Sequence, residues 1–443
     1  MAVDPATEKR AAIFPRLPPG RGAMSPEEVA RHQRGRLQAA MVEAVKLHGY
    51  ADTTLRELLG LAGVSKAAFY QHFSDKQECF LATFDEIMVE VGRRVGEAYR
   101  QPGDLREKLA AALTAFMVTA AEEPAAGSLA AVESLTLGRA GVEHRERASA
   151  AFEAMIAASF DPSPSMPPVS PLTIRAIVAG IRGIAYRRLR TGRQAELPDL
   201  VDELVDWTLG YQQPPGKEVL EAMAAAERPL PSPDAEPEDG LLPGWEEPPD
   251  SKLSRRRLSQ RERMVRAAAR VVVERGYASL SIPAISAAAG VSNQTFYEHF
   301  GSKRDAFLAA FEELAGEASA EIAKVMDRVE PGPARKGIAV RALLEHVAAN
   351  ELFAQLAFFE LPTAGPPAMD RADQVLDSFT ALLETRTSSP GAGAEAPTAI
   401  REAVGSGIWA VIQHEIAHGR RAGLGQIAPA IVALALVPLG TDT

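Results

Sequence analysis

At 443 residues the chain is long enough for two or three domains of roughly 100–200 residues each. Its 46% apolar and 24% charged residues are ordinary globular proportions, which excludes a disordered, collagen-like or membrane-embedded polypeptide. A single cysteine, Cys79, excludes an internal disulfide framework and a cysteine-built zinc site, and suits a reducing cytoplasm.

The net charge of −10 conceals segregation. Residues 235–250 carry six acids and no base, whereas 252–275 carry nine bases against Glu262 and Glu274. A basic stripe of that kind is a local reason to look for a nucleic-acid contact, whatever the total charge. The first ten residues are charged and lack the apolar core of a secretory signal, and no apolar run reaches membrane-spanning length.

In chain order, residues 1–30 are rich in Pro, Gly and Arg and are expected to form a flexible arm. Leu37, Ala40, Met41, Ala44, Val45 and Leu47 lie at helical spacing and predict a first helix that stops at Gly49. Thr54 and Glu57 make a capping box that starts a second helix, running to about Leu61. Ala62-Gly63-Val64 reads as a tight turn, Ser65 as the cap of a third helix ending near His72, and Ser74 as the cap of a long fourth helix. Two short helices joined by a glycine turn are a helix-turn-helix, whose second helix can enter a DNA major groove.

The segment then recurs. Gly49-Tyr50-Ala51 returns as Gly276-Tyr277-Ala278, Ala62-Gly63-Val64-Ser65 as Ala289-Gly290-Val291-Ser292, and Phe69-Tyr70-Gln71-His72-Phe73 as Phe296-Tyr297-Glu298-His299-Phe300. Each pair is 227 positions apart, so nothing is inserted or deleted within the segment. Fainter echoes downstream, such as Gly192-Arg193 and Gly419-Arg420, indicate two whole units of similar design. Nothing alternates like a strand for long, and the fold class is all-α. Residues 213–251 read as an acidic, proline-rich linker with one helical piece around 218–227.

These residues resemble the DNA-binding domain of the TetR/AcrR family of bacterial transcriptional regulators, over about 50 residues in each copy. The resemblance implies two TetR-like units, each a helix-turn-helix domain followed by a helical ligand-binding and dimerisation domain. The expected boundaries are 31–85 and 86–212 for the first unit, and 252–312 and 313–443 for the second.

Carried over by position, Ser65, Lys66, Ala67 and Ala68 in the first head, and Ser292, Asn293, Gln294 and Thr295 in the second, are expected to read bases. Asn and Gln pair bidentately with adenine, Lys donates to guanine, and Ala or Thr touches the thymine methyl. Tyr70, His72 and Lys76, with Tyr297, His299 and Lys303, are expected on phosphates, and Thr54 and Ser281 on the backbone at the start of helix two. Arg31, Arg34 and Arg36, and Arg255, Arg256 and Arg257, precede the first helices and are expected to add DNA contacts or to be solvated surface. Phe69, Phe73, Phe296 and Phe300 are expected in the core.

Family members pair as homodimers; here the two units are expected to pair within one chain as a pseudo-dimer. The pairing helices would be 171–191 and 197–212 with 397–418 and 425–439, and Gly180, Gly183, Gly405 and Gly407 would permit close approach. A homodimer of chains is the competing arrangement. The three residues after each cap differ, Lys-Ala-Ala against Asn-Gln-Thr, so the operator is expected to have dissimilar halves. An apolar small-molecule effector could be lined by Phe116, Met117, Phe152, Met155 and Tyr186 in the first unit, or by Phe353, Phe358, Phe359, Phe379 and Trp409 in the second.

One motif asks for a different class. His414-Glu415-Ile416-Ala417-His418 fits the H-E-x-x-H zinc-peptidase pattern, yet no third histidine follows at the usual spacing. No phosphate-binding glycine loop, nucleophile elbow or paired-carboxylate signature is present. The reading is therefore a cytoplasmic, ligand-responsive DNA-binding regulator, a repressor, without enzymatic activity, metal or cofactor. Its alternatives are a protein-binding or structural module derived from such regulators that has lost DNA affinity, and a zinc-dependent hydrolase acting through His414, Glu415 and His418.

Overall fold

The computed structural model describes residues 25–160, 169–230, 259–384 and 397–437, without the side chains of 379–384. Every regular element among them is helical. The chain forms two compact units, one of residues 1–161 and 181–209, the other of 162–180 and 210–443.

In the first unit, helix α1 spans Pro26–Asp52. Ser25 and Glu28 close a capping box at its start, and proline occupies the first turn, where no amide hydrogen is needed. Residues 26–30, expected in the arm, are therefore helical. The helix is broken at Gly49, whose φ of 74° needs a residue without a Cβ. Helix α2 (Leu55–Ala62) starts on the expected Thr54–Glu57 box. Gly63 ends it in the left-handed region, and Ser65 then caps α3 (Lys66–His72). Helix α4 (Lys76–Tyr99) is capped by Asp75, which accepts from the Glu78 amide. Ser74, the expected cap, lies one residue too early: its amide donates to the Glu78 carboxylate at 2.6 Å. Helices α5 (Leu105–Glu122), α6 (Pro124–Ala131) and α7 (Gly138–Ser159) follow, with a 3-10 turn at Glu133–Leu137 before α7. Phe69, Phe73, Phe80 and Phe84 are at most 2% exposed and centre a core that joins α1–α4 to α6. Helix α8 (Pro171–Arg190) has its last ten residues in this unit, together with α9 (Val201–Gly210) after a 3-10 turn at Gln194–Leu200.

The second unit holds residues 171–180 of α8, then α10 (Lys217–Glu227), α11 (Gln260–Arg275), α12 (Ile282–Ala289), α13 (Asn293–His299) and α14 (Lys303–Met326). It continues with α15 (Pro333–Ala349), α16 (Glu351–Gln355), a π-helical turn at Leu356–Glu360 and a 3-10 turn at Leu361–Ala364. Helices α17 (Pro366–Glu384), α18 (Thr398–Ala417) and α19 (Ala428–Leu436) complete it. The caps repeat those of the first unit. Ser259 and Glu262 box α11, Ser281 caps α12, Gly290 ends it at φ 66°, Ser292 caps α13, and Ser302 caps α14.

The segment expected as a linker contains α10, and that helix is part of the second unit's core. Val219, Ala222, Ala225 and Ala226 are buried, and α10 packs along α15 and α19. The approach is so close that a Cβ at Gly337 would collide with the Ala222 carbonyl oxygen. Within the same unit Gly407 of α18 faces Ala176 of α8, where an added Cβ would stand 2.6 Å from the carbonyl oxygen.

Candidate nucleic-acid interface

Each helix-turn-helix is built by short-range capping, so its residues present themselves the same way in both copies. The Ser65 hydroxyl accepts from the Ala68 amide at 3.2 Å, and Ser292 from the Thr295 amide at 3.0 Å. That leaves Lys66 and Ala67 exposed on the first turn of α3, and Asn293 and Gln294 exposed on the first turn of α13; Ala68 and Thr295 are half-buried. One face of each helix is anchored instead. Phe69 and Phe73, and Phe296 and Phe300, are buried, and the ring of Phe69 meets Tyr70 edge-on just as Phe296 meets Tyr297. Tyr70 and Tyr297 remain 51% and 61% exposed, large aromatic rings held outward beside the recognition turn.

The other expected contact residues fall into two groups. Thr54 and Ser281 are exposed at the start of α2 and α12, although the Thr54 hydroxyl donates to Glu57 at 2.7 Å. His299 is exposed, whereas His72 is half-buried, with its Nε2 3.2 Å from the Gln33 side-chain oxygen. Burial, and then the neighbouring Arg34 charge, hold the His72 imidazole below its usual range. Arg31, Arg34 and Arg36 lie on α1 rather than on an arm. The guanidinium of Arg34 sits 4.6 Å from the Phe73 ring centre, and that of Arg36 donates to the Gly63 carbonyl. Arg255, Arg256 and Arg257 lie outside the described residues.

Lys76 and Lys303 are aimed at the protein's own backbone. Lys76 donates to the carbonyls of Tyr50 and Thr53, both at 2.7 Å, with its ammonium 4.2 Å from the Tyr50 ring centre. Lys303 donates to Leu280 at 2.8 Å and lies over the Tyr277 ring. Desolvation lowers both ammonium pKa values. Two residues that sequence reasoning missed meet the same joint. Glu133 accepts the Tyr50 amide hydrogen at 2.9 Å, and Glu360 accepts that of Tyr277 at 2.8 Å. They too stand 227 positions apart, which was the signal available to find them.

Of the residues expected around an effector, Phe353, Phe358 and Trp409 line an apolar cavity of about 60 Å³, with Phe311, Ala357 and Ile412. Phe359 is buried but does not line it, and the Phe379 side chain lies outside the described residues. In the first unit Phe116, Phe152 and Met155 pack against the phenylalanine core, and Met117 and Tyr186 are buried.

In the H-E-x-x-H stretch, the carboxylate of Glu415 accepts from Arg420 Nε and Nη2 at 2.7 and 2.8 Å. That pairing keeps it well below the usual carboxylate range, the opposite of what a general base needs. The His418 Nδ1 lies 2.9 Å from the His414 carbonyl oxygen. No described helix is long and apolar enough to cross a membrane.

Two capped helix-turn-helix units with exposed first turns define a tandem helix-turn-helix protein. Residues 37–83 and 264–310 each match the family described as "Bacterial regulatory proteins, tetR family", and both regions belong to it. Among curated proteins, the chain is 38% identical over 84 residues to the HTH-type transcriptional activator FasR of Mycolicibacterium smegmatis, covering 19% of this chain and 38% of FasR. It is 36% identical over 67 residues to the HTH-type transcriptional regulator CymR of Pseudomonas putida, covering 15% and 33%. The chain thus spans about a third of the length of these relatives. Solved structures similar to it include FadR of Bacillus subtilis in complex with stearoyl-CoA, at TM-score 0.36 and 15% identity over 39% of this chain and 96% of that one. A TetR family regulator from Marinobacter aquaeolei matches at TM-score 0.35 and 21% identity, over 42% and 98%.

Proposed function

We propose that the chain is a sequence-specific DNA-binding transcriptional regulator whose two heads read unlike half-sites. The observation that carries this reading is the pair of identically capped recognition helices with different exposed residues, Lys66-Ala67 in one and Asn293-Gln294 in the other. Lysine on guanine and Asn or Gln on adenine select different bases, so a palindromic operator would satisfy only one head. Exposed Tyr70 and Tyr297 are suited to phosphate oxygens, which set register without reading sequence.

In this reading the chain provides both members of the dimer. Gly407 against Ala176, and the Tyr211 hydroxyl donating to the Leu434 carbonyl at 2.8 Å, support pairing between helices of the two sequence halves. Tethering raises the effective concentration of the second head into roughly the millimolar range. The cavity beside Phe358 and Trp409 supports a small apolar effector that releases a repressor. FasR, by its name an activator, favours the opposite sign of regulation as the second reading.

The test is site selection from a random duplex pool with the full chain, followed by affinity against salt and by solution mass. The expected outcome is one asymmetric site, an affinity that falls steeply with salt, and a monomeric mass. A perfect palindrome bound by a dimer of chains would overturn the two-headed arrangement. Absence of any duplex, even in dilute salt, would favour the protein-binding alternative.

A further inference from the structure

We propose that Glu133 and Glu360 are positioning residues that set the angle of each DNA-reading head from the helical body behind it. The inference rests on the DNA-binding reading above. Each head leaves its first helix at a glycine with positive φ, Gly49 at 74° and Gly276 at 77°. Beyond that glycine the chain makes one short turn, closed by the Thr53 amide on the Gly49 carbonyl and by the Leu280 amide on the Tyr277 carbonyl, and the non-helical φ/ψ of the glycine takes the amide that follows it out of the helical ladder. The next amide, that of Tyr50 or Tyr277, would otherwise be an unsatisfied donor. It is taken by a carboxylate 83 residues further along the chain, in both copies.

From the other side an ammonium grips the same joint. Lys76 holds the Tyr50 and Thr53 carbonyls, and Lys303 holds the Leu280 carbonyl. The lysines belong to the first turn of α4 and α14, next to the recognition helices; the glutamates belong to the body. The orientation of each head is therefore fixed between a carboxylate it does not carry and a cation it does.

In the second unit the carboxylate stands at the end of a path to the cavity. Glu360 is the last residue of the π-helical turn Leu356–Glu360, a rare geometry frequent at functional sites. Ala357 and Phe358 of that turn line the cavity, and the Phe358 ring stacks on Trp409 with centres 4.2 Å apart. Gln413 of α18 donates to the Phe358 carbonyl at 2.6 Å. A molecule that pushes Phe358 aside moves the turn, and the turn carries the acceptor of the Tyr277 amide. In the first unit Glu133 opens the 3-10 turn on which α7 rests, since a Cβ at Gly141 would collide with the Ser134 carbonyl oxygen.

The experiment uses the full chain as wild type, Glu360→Ala, Glu360→Gln, Glu133→Ala and Glu133→Gln, with the duplex recovered from a random pool as the probe. Amide exchange of the 49–53 and 276–280 peptides and nuclease protection of each half-site are read on every variant, after thermal melts establish folding. A hydrogen bond to a charged group supports an effect of about tenfold. Glu360→Ala is expected to speed exchange at 276–280 and to weaken one half-site about tenfold, leaving the other unchanged; Glu133→Ala does the converse. Each Gln variant, whose amide oxygen still accepts, is expected to restore both readouts. Faster exchange with both half-sites unchanged would overturn the proposal, as would equal losses in the Ala and Gln variants. A wild-type chain that recovers no duplex overturns the DNA-binding reading and this inference with it, whereas a bound wild type with indifferent variants overturns only the inference.

Discussion

The guanidinium of Arg36 donates to the carbonyl oxygen of Gly63 at 3.1 Å, so the first helix of the first head holds the turn between its second and third. The corresponding pair in the second head is looser: a Cβ on Gly290 would lie 3.9 Å from an Arg263 nitrogen, whereas one on Gly63 would collide with the Arg36 guanidinium. Both glycines have positive φ, 58° and 66°. An L side chain in that region costs about 1–2 kcal/mol. Gly63→Ala should therefore destabilise more than Gly290→Ala, because it displaces Arg36 as well as straining the turn. Urea melts of the two variants check the order; equal losses would mean that the arginine contributes nothing.

Gly337 marks the place where the inter-unit segment becomes core. The Ala222 carbonyl oxygen occupies the space a Cβ would need, so Gly337→Ala must push α10 away from α15. Overpacking of this kind costs about 1–3 kcal/mol. Faster proteolysis within α10 is the expected result, together with a lower melting temperature. An unchanged melt and cleavage pattern would show that α10 is dispensable to the second unit.

Cys79 is fully buried in the phenylalanine core, and desolvation pushes its thiol up to about 12. The thiolate is the reactive form, so almost none exists near neutrality. A thiol reagent should leave the native chain unlabelled and modify it quickly in denaturant. Rapid stoichiometric labelling of the native protein would contradict that burial.

Glu133 supplies a pH dependence. Burial raises its carboxyl above the ordinary range, and the Tyr50 amide only partly offsets this. The folded chain thus binds a proton there more readily than the unfolded chain, and stability from this group is greatest below the ordinary carboxyl value. It is lost as pH rises through the interval up to the raised value. Glu133→Gln keeps an acceptor without the buried charge. Its melting temperature should exceed that of wild type near pH 7, and the gap should close near pH 4, around the ordinary carboxylate pKa of about 4.3. A gap independent of pH would rule out the carboxylate as its source.

The helix-turn-helix was legible because its devices are local. Thr54 meets Glu57, Ser65 meets Ala68 and Ser292 meets Thr295 three residues on, so the pattern of residue types specifies the contact. Where capping groups compete, locality was insufficient: Ser74 and Asp75 are both able caps, and the aspartate takes the place. The composition of residues 1–30 suggests an arm, yet Ser25 and Glu28 form the same kind of box as Thr54 and Glu57 and start the helix there.

Residue order by itself determined the duplication, the helical class and the two helix-turn-helix turns, because each rests on spacing within a few positions or on repetition at a constant offset. Tertiary packing decided the rest. That Lys76 faces backbone, that Glu133 and Glu360 hold a joint 83 residues away, and that α10 is core depend on which helices lie side by side. A side chain reaches only a few ångströms, and a partner far along the chain comes within that reach only after the apolar faces between them have been buried.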